Sequence, residues 1–298
     1  MTDYTNVSAR AMLVALRLSV WSARKFDKKA THQVHAANSA DENAGRYNKH
    51  LFAGAASHAA ALAAGESARE VHYAQTLPWA DEGWRLLPTA NYMAYTAAMR
   101  KARGVFDTNV AAFIAEYPAL QAQAQAKLGA LFSSADFPST VDARSRFNFR
   151  TEFAPVPRMD GDVRLALPQD AADAIEQEVT SRVEASARDA MLGAWERLHE
   201  AVSRIHKATG PDGVVRPTLL EHARDVCDVL ARLNVGGDAQ LEALRVRTLQ
   251  ELVAPVPDVE ALKKGKDETL RESTQRKAAE IMAAMGQHYA PPVKKAVA

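Results

Sequence analysis

The sequence has 298 residues, of which 47% are hydrophobic and 24% are charged, and its formal net charge is +1. These values are typical of a globular protein and exclude a disordered, collagen-like or acidic-tail chain. The length suits about two domains. A single cysteine, Cys227, excludes an internal disulfide and favours a reducing, cytoplasmic location.

The first predicted element is a strand near the start of the chain. Apolar residues alternate with other residues from Val14 to Trp21, and a period of two is typical of a half-buried strand. A helix beginning at Ser8 is the alternative interpretation, because several apolar residues of this segment also fit a helical period.

Alanine-rich sequence at helical spacing follows and predicts a mainly helical fold. Pro118 is expected to end the helix of residues 89–117, and another short helix is expected to run from there to Phe132. Trp79 and Trp84 lie in a proline-bounded loop, which is either packed on the helices or used for recognition. The predicted helices cover residues 40–64, 66–75 and 89–117.

Alternation returns from Phe147 to Phe153 and again from Val163 to Leu167. We expect these two segments and the first strand to form a small antiparallel three-stranded sheet. The turn between the two segments contains prolines and a glycine, and it provides the predicted domain boundary. One domain, residues 1–157, is mixed and mildly basic. The other, residues 158–298, is mildly acidic and consists of a strand followed by helices.

A long helix is predicted from residue 168 to residue 210. It would measure roughly 60 Å at 1.5 Å per residue, so it needs partner helices. Three shorter predicted helices supply them, at residues 218–233, 239–253 and 258–285. The predicted fold class is therefore α+β and predominantly α-helical, with the small antiparallel three-stranded sheet and a long-helix bundle.

Motifs for catalysis or metal binding are incomplete. His32 and His35 have finger-like spacing but lack a cysteine pair. Glu196 and His199 form a Glu-x-x-His motif, but the second copy that a di-metal bundle requires does not occur. Lys266 follows a glycine without the spacing of a phosphate-binding loop. No catalytic residue, metal site or cofactor is predicted.

Basic and aromatic residues carry the functional prediction. On the predicted sheet, the face opposite the core would collect arginines beside the indole of Trp21, where bases can stack and phosphates can bind. The alternative is that Trp21 caps the core while the arginines pair with acidic residues such as Glu152. The predicted nucleic-acid-binding residues are Arg17, Trp21, Arg24, Lys25, Lys28, Lys29, Arg100, Lys101, Arg103, Arg144, Arg146, Arg150 and Arg164.

The sequence has distinctive segments at residues 16–25, 76–88 and 113–118, followed by Phe137-Pro138. In order and spacing they resemble a family of bacteriophage and prophage proteins that is classed only as a domain of unknown function. The resemblance covers most of the chain and implies a protein that works in bacterial cytoplasm. It implies no activity, cofactor or catalytic residue.

Two functions are expected from these observations. The first is non-specific binding of single-stranded nucleic acid in phage DNA replication or recombination. The alternative is a helical structural or adaptor protein, without catalytic activity, that self-associates or docks a partner. We expect neither export nor membrane embedding, since the first residues lack signal-peptide features and the longest run of small apolar residues is shorter than a span.

Overall fold

The computed structural model describes residues 7–79, 83–158 and 168–290. The fold is α+β and predominantly helical, with small antiparallel sheets, which confirms the predicted fold class. The predicted three-stranded sheet is wrong in detail, because the described residues form one sheet of four strands and one of two. The strands are β1 (Ala11–Ser19), β2 (Arg24–Phe26), β3 (Asn48–His50), β4 (Leu77–Pro78), β5 (Trp84–Pro88) and β6 (Asn148–Pro155). The helices are α1 (Val7–Arg10), α2 (Lys28–Asn38), α3 (Ala56–Ala74), α4 (Tyr92–Leu128), α5 (Thr140–Ser145), α6 (Gln169–Thr209), α7 (Leu219–Leu233), α8 (Ala239–Thr248) and α9 (Glu268–Met285).

The chain divides into two compact units, each built from separate stretches. The bundle unit comprises residues 1–15, 73–95 and 153–298, and the aromatic unit comprises residues 16–72 and 96–152. This division differs from the predicted boundary between residues 157 and 158. The reason is that β1, α4 and β6 each contribute residues to both units, so no single cut separates them.

Four strands form one sheet in the order β4-β5-β1-β6, and β2 and β3 form a separate two-stranded sheet. Strand β1 confirms the first predicted strand, and its neighbour β6 confirms the second. The third predicted strand, residues 163–167, lies outside the described residues. Strand β5 pairs antiparallel with β1, with Ala15 opposite Trp84. The prediction of a proline-bounded loop is therefore wrong where β5 forms. The adjacent residues Leu86 and Leu87 are both buried, so this strand lacks the alternation that would predict it from the sequence.

The bundle unit is organised around α6, which confirms the predicted long helix. Its buried stripe begins at Ala187 and includes Trp195 and Ile205, and it packs against α7 and α9. Strand β4 approaches α6 closely, because a Cβ added at Gly193 would lie 3.0 Å from Pro78. The other predicted helices of this region are present as α7, as α8 with a π-helical turn to residue 253, and as α9, which begins at 268 instead of 258.

A buried arginine donates hydrogen bonds to carbonyl groups at and just after the C-terminal end of α6. Arg271 is only 3% exposed. Its guanidinium donates to the carbonyls of Leu262 at 2.7 Å and Gly210 at 2.6 Å, and also to those of Ala208 and Gly213. Carbonyls at a helix C-terminus carry partial negative charge, so they stabilise a cation placed there.

The aromatic unit has a core of tilted and edge-to-face rings. Phe113 lies 5.5 Å from Phe52 and 5.9 Å from Tyr117, measured between ring centroids. Helix α4 supplies much of this core and continues through Pro118, so the prediction that this proline ends the helix is wrong. Buried side chains on both sides of the proline, including Leu120, hold the helix against the core.

The predicted helix over residues 40–64 is wrong in its first part. Residues 40–47 form a loop, β3 follows, and α3 begins only at Ala56. Helix α2 precedes this loop, was not predicted, and begins at the basic residues Lys28 and Lys29. Asp27 caps α2, since its carboxylate accepts a hydrogen bond of 2.9 Å from the backbone N–H of Ala30.

Candidate nucleic-acid interface

The two units carry opposite net charge. The aromatic unit has 15 Lys and Arg against 10 Asp and Glu, a formal charge of +5, whereas the bundle unit has 22 against 26, or −4. Every predicted binding residue except Arg164 belongs to the aromatic unit, and Arg164 lies outside the described residues. A surface for a polyanion is therefore expected on the aromatic unit.

Trp21 belongs to the core of the aromatic unit and not to an open sheet face. It is 8% exposed, and its ring lies 5.7 Å from that of Phe52 and 6.1 Å from that of Tyr117. The guanidinium of Arg146 covers it at 5.0 Å. Strand β1 ends at Ser19, so the strand alternation does not extend to Trp21. The prediction that this indole stacks on bases is wrong, and the alternative that it caps the core is correct.

Arg17 and Arg150 lie on the neighbouring strands β1 and β6, but both contact one carboxylate. The Nε of Arg17 lies 3.0 Å from an oxygen of Glu152, and Arg150 pairs with the same side chain. The hydrogen bond from Arg17 and the charge of Arg150 lower the pKa of Glu152. These two arginines are therefore partly neutralised within the protein.

A second group of cations lies around α4. The carboxylate of Asp107 is 3.5 Å from Arg103 and 4.0 Å from Arg144. Arg100 and Lys101 are exposed on the same helix, and neither has an ion-pair partner among the described residues. The structure thus brings Arg103 and Arg144 together, while Arg146 is placed over Trp21.

The remaining predicted cations are all exposed and lie within one short stretch of the chain. Arg24 and Lys25 lie on β2, and Lys28 and Lys29 begin α2; all four are exposed, and none has an ion-pair partner in the part of the chain that the structure describes. The one acidic residue within this run, Asp27, is turned away into contacts with Lys49 and the N-terminus of α2. We call β2, β3 and the first turn of α2 the basic ribbon.

Two aromatic side chains at the basic ribbon are not predicted as site residues. Phe26 on β2 is 44% exposed, and Tyr47, just before β3, is 40% exposed. The guanidinium of Arg46 lies 5.7 Å from the centre of the Phe26 ring. The sequence signal is the phenylalanine inside the basic run from Arg24 to Lys29. An exposed ring among cations is the combination that binds single-stranded nucleic acid.

A buried lysine anchors the basic ribbon. The Nζ of Lys49, on β3, lies 2.9 Å from Asp27 and 2.7 Å from Asp136, and it donates to the carbonyl of Leu131 at 2.7 Å. Strand β3 then pairs with β2 so that Lys49 lies opposite Lys25 and Asn48 lies opposite Phe26. The anchor therefore fixes the position of the exposed residues on both strands.

The charges of this anchor stabilise one another. Burial acts to lower the pKa of Lys49, but hydrogen bonds with Asp136 and Asp27 outweigh it, and the net pKa is raised. The pKa of Asp27 is lowered, first by the backbone N–H of Ala30 and then by Lys49. Both groups are thus held in their charged forms at neutral pH.

Two other kinds of site are a metal centre and a reactive cysteine. Among the described residues, no group of three or more His, Cys, Asp or Glu is arranged to hold a metal ion. Cys227 is buried in the bundle unit, and burial raises the pKa of its thiol to about 12, so it does not form a reactive thiolate.

No helix in the described part of the chain has the length and apolar character needed to cross a membrane.

Comparisons of this chain with known protein families, curated proteins and solved structures give no match.

Proposed function

We propose that the protein binds single-stranded nucleic acid without sequence specificity, and that the basic ribbon is its main contact surface. The observation that carries this proposal is the exposed ring of Phe26 among the cations Arg24, Lys25, Lys28 and Lys29, none of which is neutralised within the described residues. The phage resemblance supports a setting in phage or prophage DNA replication or recombination in bacterial cytoplasm.

The aromatic and cationic side chains of the basic ribbon are of the types that bind single-stranded nucleic acid. Bases stack on aromatic rings whatever their identity, which contributes about 1–3 kcal/mol per base, and cations bind the phosphates between them. The strands of the ribbon have three residues each, so the platform is only about 10 Å long. The other cations of the aromatic unit, such as Arg100 and Lys101, would extend the contact along the strand.

Fluorescence anisotropy with a labelled oligo-dT at about 50 mM salt tests the proposal, because phosphate contacts are strong at low salt. Phe26→Ala should weaken binding by roughly 5- to 150-fold, the loss of one stacked base. Phe153→Ala is the matched control, because Phe153 is also 44% exposed but belongs to the bundle unit. It should leave the affinity unchanged.

Cation variants test the electrostatic part. Replacing Lys28 and Lys29 with Gln should reduce the slope of log affinity against log salt by about 0.7 for each lost phosphate contact. Arg204→Ala is the control, since Arg204 is an exposed cation of α6 that pairs with Glu200. The proposal fails if the wild-type protein does not bind at about 50 mM salt. An equal effect of Phe26→Ala and Phe153→Ala would instead assign binding to another surface.

A second candidate function is supported by the first half of α6. No residue of α6 before Ala187 is fully buried. Ile175 and Val179 lie one turn apart and form a half-buried apolar stripe, whereas Val183, one turn further on, already packs against the bundle core. This arrangement supports a structural protein in which two copies of the chain pair through the stripe.

Light scattering over a concentration series tests self-association. Val179→Glu should lower the measured mass, whereas Gln177→Glu, on the opposite face of the helix, should not. A monomer at all concentrations would exclude this candidate, and an oligomer that both variants retain would exclude the stripe as its interface.

A further inference from the structure

A cavity adjoins the basic ribbon within the aromatic unit. It lies between α2 and the loop of residues 40–47, and its volume is about 340 Å³. Ligand pockets typically measure about 300–1,000 Å³, so the cavity suits a small ring-shaped group. Arg46 and Tyr47 form part of its wall, and Arg46 also covers the exposed ring of Phe26. The cavity is therefore continuous with the aromatic part of the basic ribbon.

One wall of the cavity carries a buried imidazole without a partner. His35 is 9% exposed, and its ring has no hydrogen-bond partner among the described residues. Space is open beside it, because a Cβ added at Gly45 would approach no closer than 4.0 Å to the Nε2 of His35. The ring nitrogens of His35 are not among the fully buried polar atoms that lack a partner. They therefore remain accessible from the cavity to a ligand that can hydrogen-bond to them.

The other polar groups of the cavity narrow the choice of ligand. Thr31 has no donor left for a ligand, since its hydroxyl donates to the carbonyl of Asp27 and also accepts from the N–H of Tyr47. The amide nitrogen of Asn38 donates to the carbonyl of Val34, which leaves its oxygen as an acceptor. The cavity thus offers an imidazole and an amide oxygen beside the flat groups of Arg46 and Tyr47.

We propose that this cavity holds one nucleobase of a bound single strand, with the ring stacked against Arg46 or Tyr47 and its polar edge hydrogen-bonded to His35 and Asn38. The proposal rests on the proposed function and adds to it a binding site for one base. Bases of single strands can turn out of the stack and bind on aromatic or guanidinium planes. A free phosphate fits less well, because Arg46 is the only cation among the described lining residues.

The test monitors the imidazole signals of the full-length protein by NMR, with His35→Gln identifying the signal of His35. Nucleoside monophosphates at about 1–10 mM should shift this signal, whereas deoxyribose 5-phosphate at the same concentration should not. In Gly45→Val, the added side chain would fill the space beside the ring and abolish the shift. Ala36→Val, at an exposed position of α2, should preserve it. The Gly45 pair keeps the test decisive if His35→Gln does not fold.

Each outcome separates the cavity from the wider proposal. A shift caused equally by the sugar phosphate would overturn the nucleobase assignment and identify an anion site. If no mononucleotide shifts the signal while oligo-dT still binds, the cavity is not a base-binding site and the basic ribbon remains the proposed contact surface. A shift with mononucleotides in a protein that does not bind oligo-dT would support the cavity and overturn the proposed function.

Discussion

Replacing Lys49 with Met should release the basic ribbon from the rest of the aromatic unit. Lys49 is the only cation that contacts both Asp27 and Asp136 among the described residues, and all three side chains are at most 13% exposed. Methionine fills a similar volume but supplies no charge and no donor. Two buried carboxylates and the carbonyl of Leu131 would lose their shared partner.

The expected size of the effect follows from these contacts. Removing one partner of a buried ion pair costs about 3–5 kcal/mol, because the remaining charge is left uncompensated. We therefore expect the free energy of opening the ribbon to fall by about 3–5 kcal/mol. Neutralising the carboxylates as well, with Asp27→Asn and Asp136→Asn, should recover most of the loss, since no buried charge remains. Asn at residue 27 can still cap α2.

Hydrogen exchange measured by mass spectrometry suits this prediction, because it reports opening of the peptides that contain β2 and β3. An effect of about 3–5 kcal/mol corresponds to exchange that is roughly 10²- to 10⁴-fold faster. Lys25→Met is the control: Lys25 lies opposite Lys49 in the register but is exposed, so its replacement should change stability by at most about 0.5 kcal/mol.

The pH dependence of the anchor has a definite sign. The pKa of Asp27 is lowered, so its contribution is present above the unfolded pKa of about 3.9 and is lost as the pH falls through the folded value. The pKa of Lys49 is raised, so its contribution is lost as the pH rises above about 10.4 through the folded value.

The exchange experiment also has an outcome that would refute the role of Lys49 as an anchor. Hydrogen exchange in β2 and β3 would then be no faster in Lys49→Met than in the control Lys25→Met.

Three further predictions concern buried groups. Burial lowers the pKa of His58, so stability should fall as the pH drops below about 6.5; urea unfolding of His58→Gln should show a smaller pH slope, and an unchanged slope would contradict this. Cys227 should react with a thiol reagent only as fast as the bundle unit opens, and rapid labelling of the native protein would disprove its burial. Arg271→Met leaves four carbonyls without their donor, so it should lower the free energy of unfolding of the bundle unit in urea by about 3 kcal/mol or more. Arg271→Lys should recover only part of this loss. Equal stability of the wild type and both variants would contradict a stabilising role for Arg271.

The long helices and the first strand could be predicted because their signals are local. The apolar stripe of α6 has a period that only a helix satisfies, and it extends over many turns. Strand β1 alternates between half-buried and exposed residues from Leu16 to Ser19. By contrast, β5 is buried on both faces, so its leucines show no period of two. The proline in α4 is tolerated because core packing on both sides of it outweighs the lost hydrogen bond.

The candidate site could be predicted only in part. The cations Arg24, Lys25, Lys28 and Lys29 follow from the sequence, since a dense basic run is usually exposed. Trp21 was the wrong choice of stacking ring, since the structure buries it and exposes Phe26. The difference comes from tertiary packing. Whether an aromatic residue is exposed depends on where the strand ends and which helices cover it, and neither is encoded in the spacing of nearby residues.

The discontinuous make-up of the two units has a consequence for synthesis on the ribosome. All residues of the aromatic unit have been translated once residue 152 is added, whereas the bundle unit must wait for α6 to α9, which extend to residue 285. At about 5–20 residues per second, this delay lasts roughly 7–27 s. During that time β4 lacks the helix α6 on which it packs, so apolar side chains such as Leu77 and Leu86, which end in the core of the bundle unit, stay uncovered and prone to aggregate.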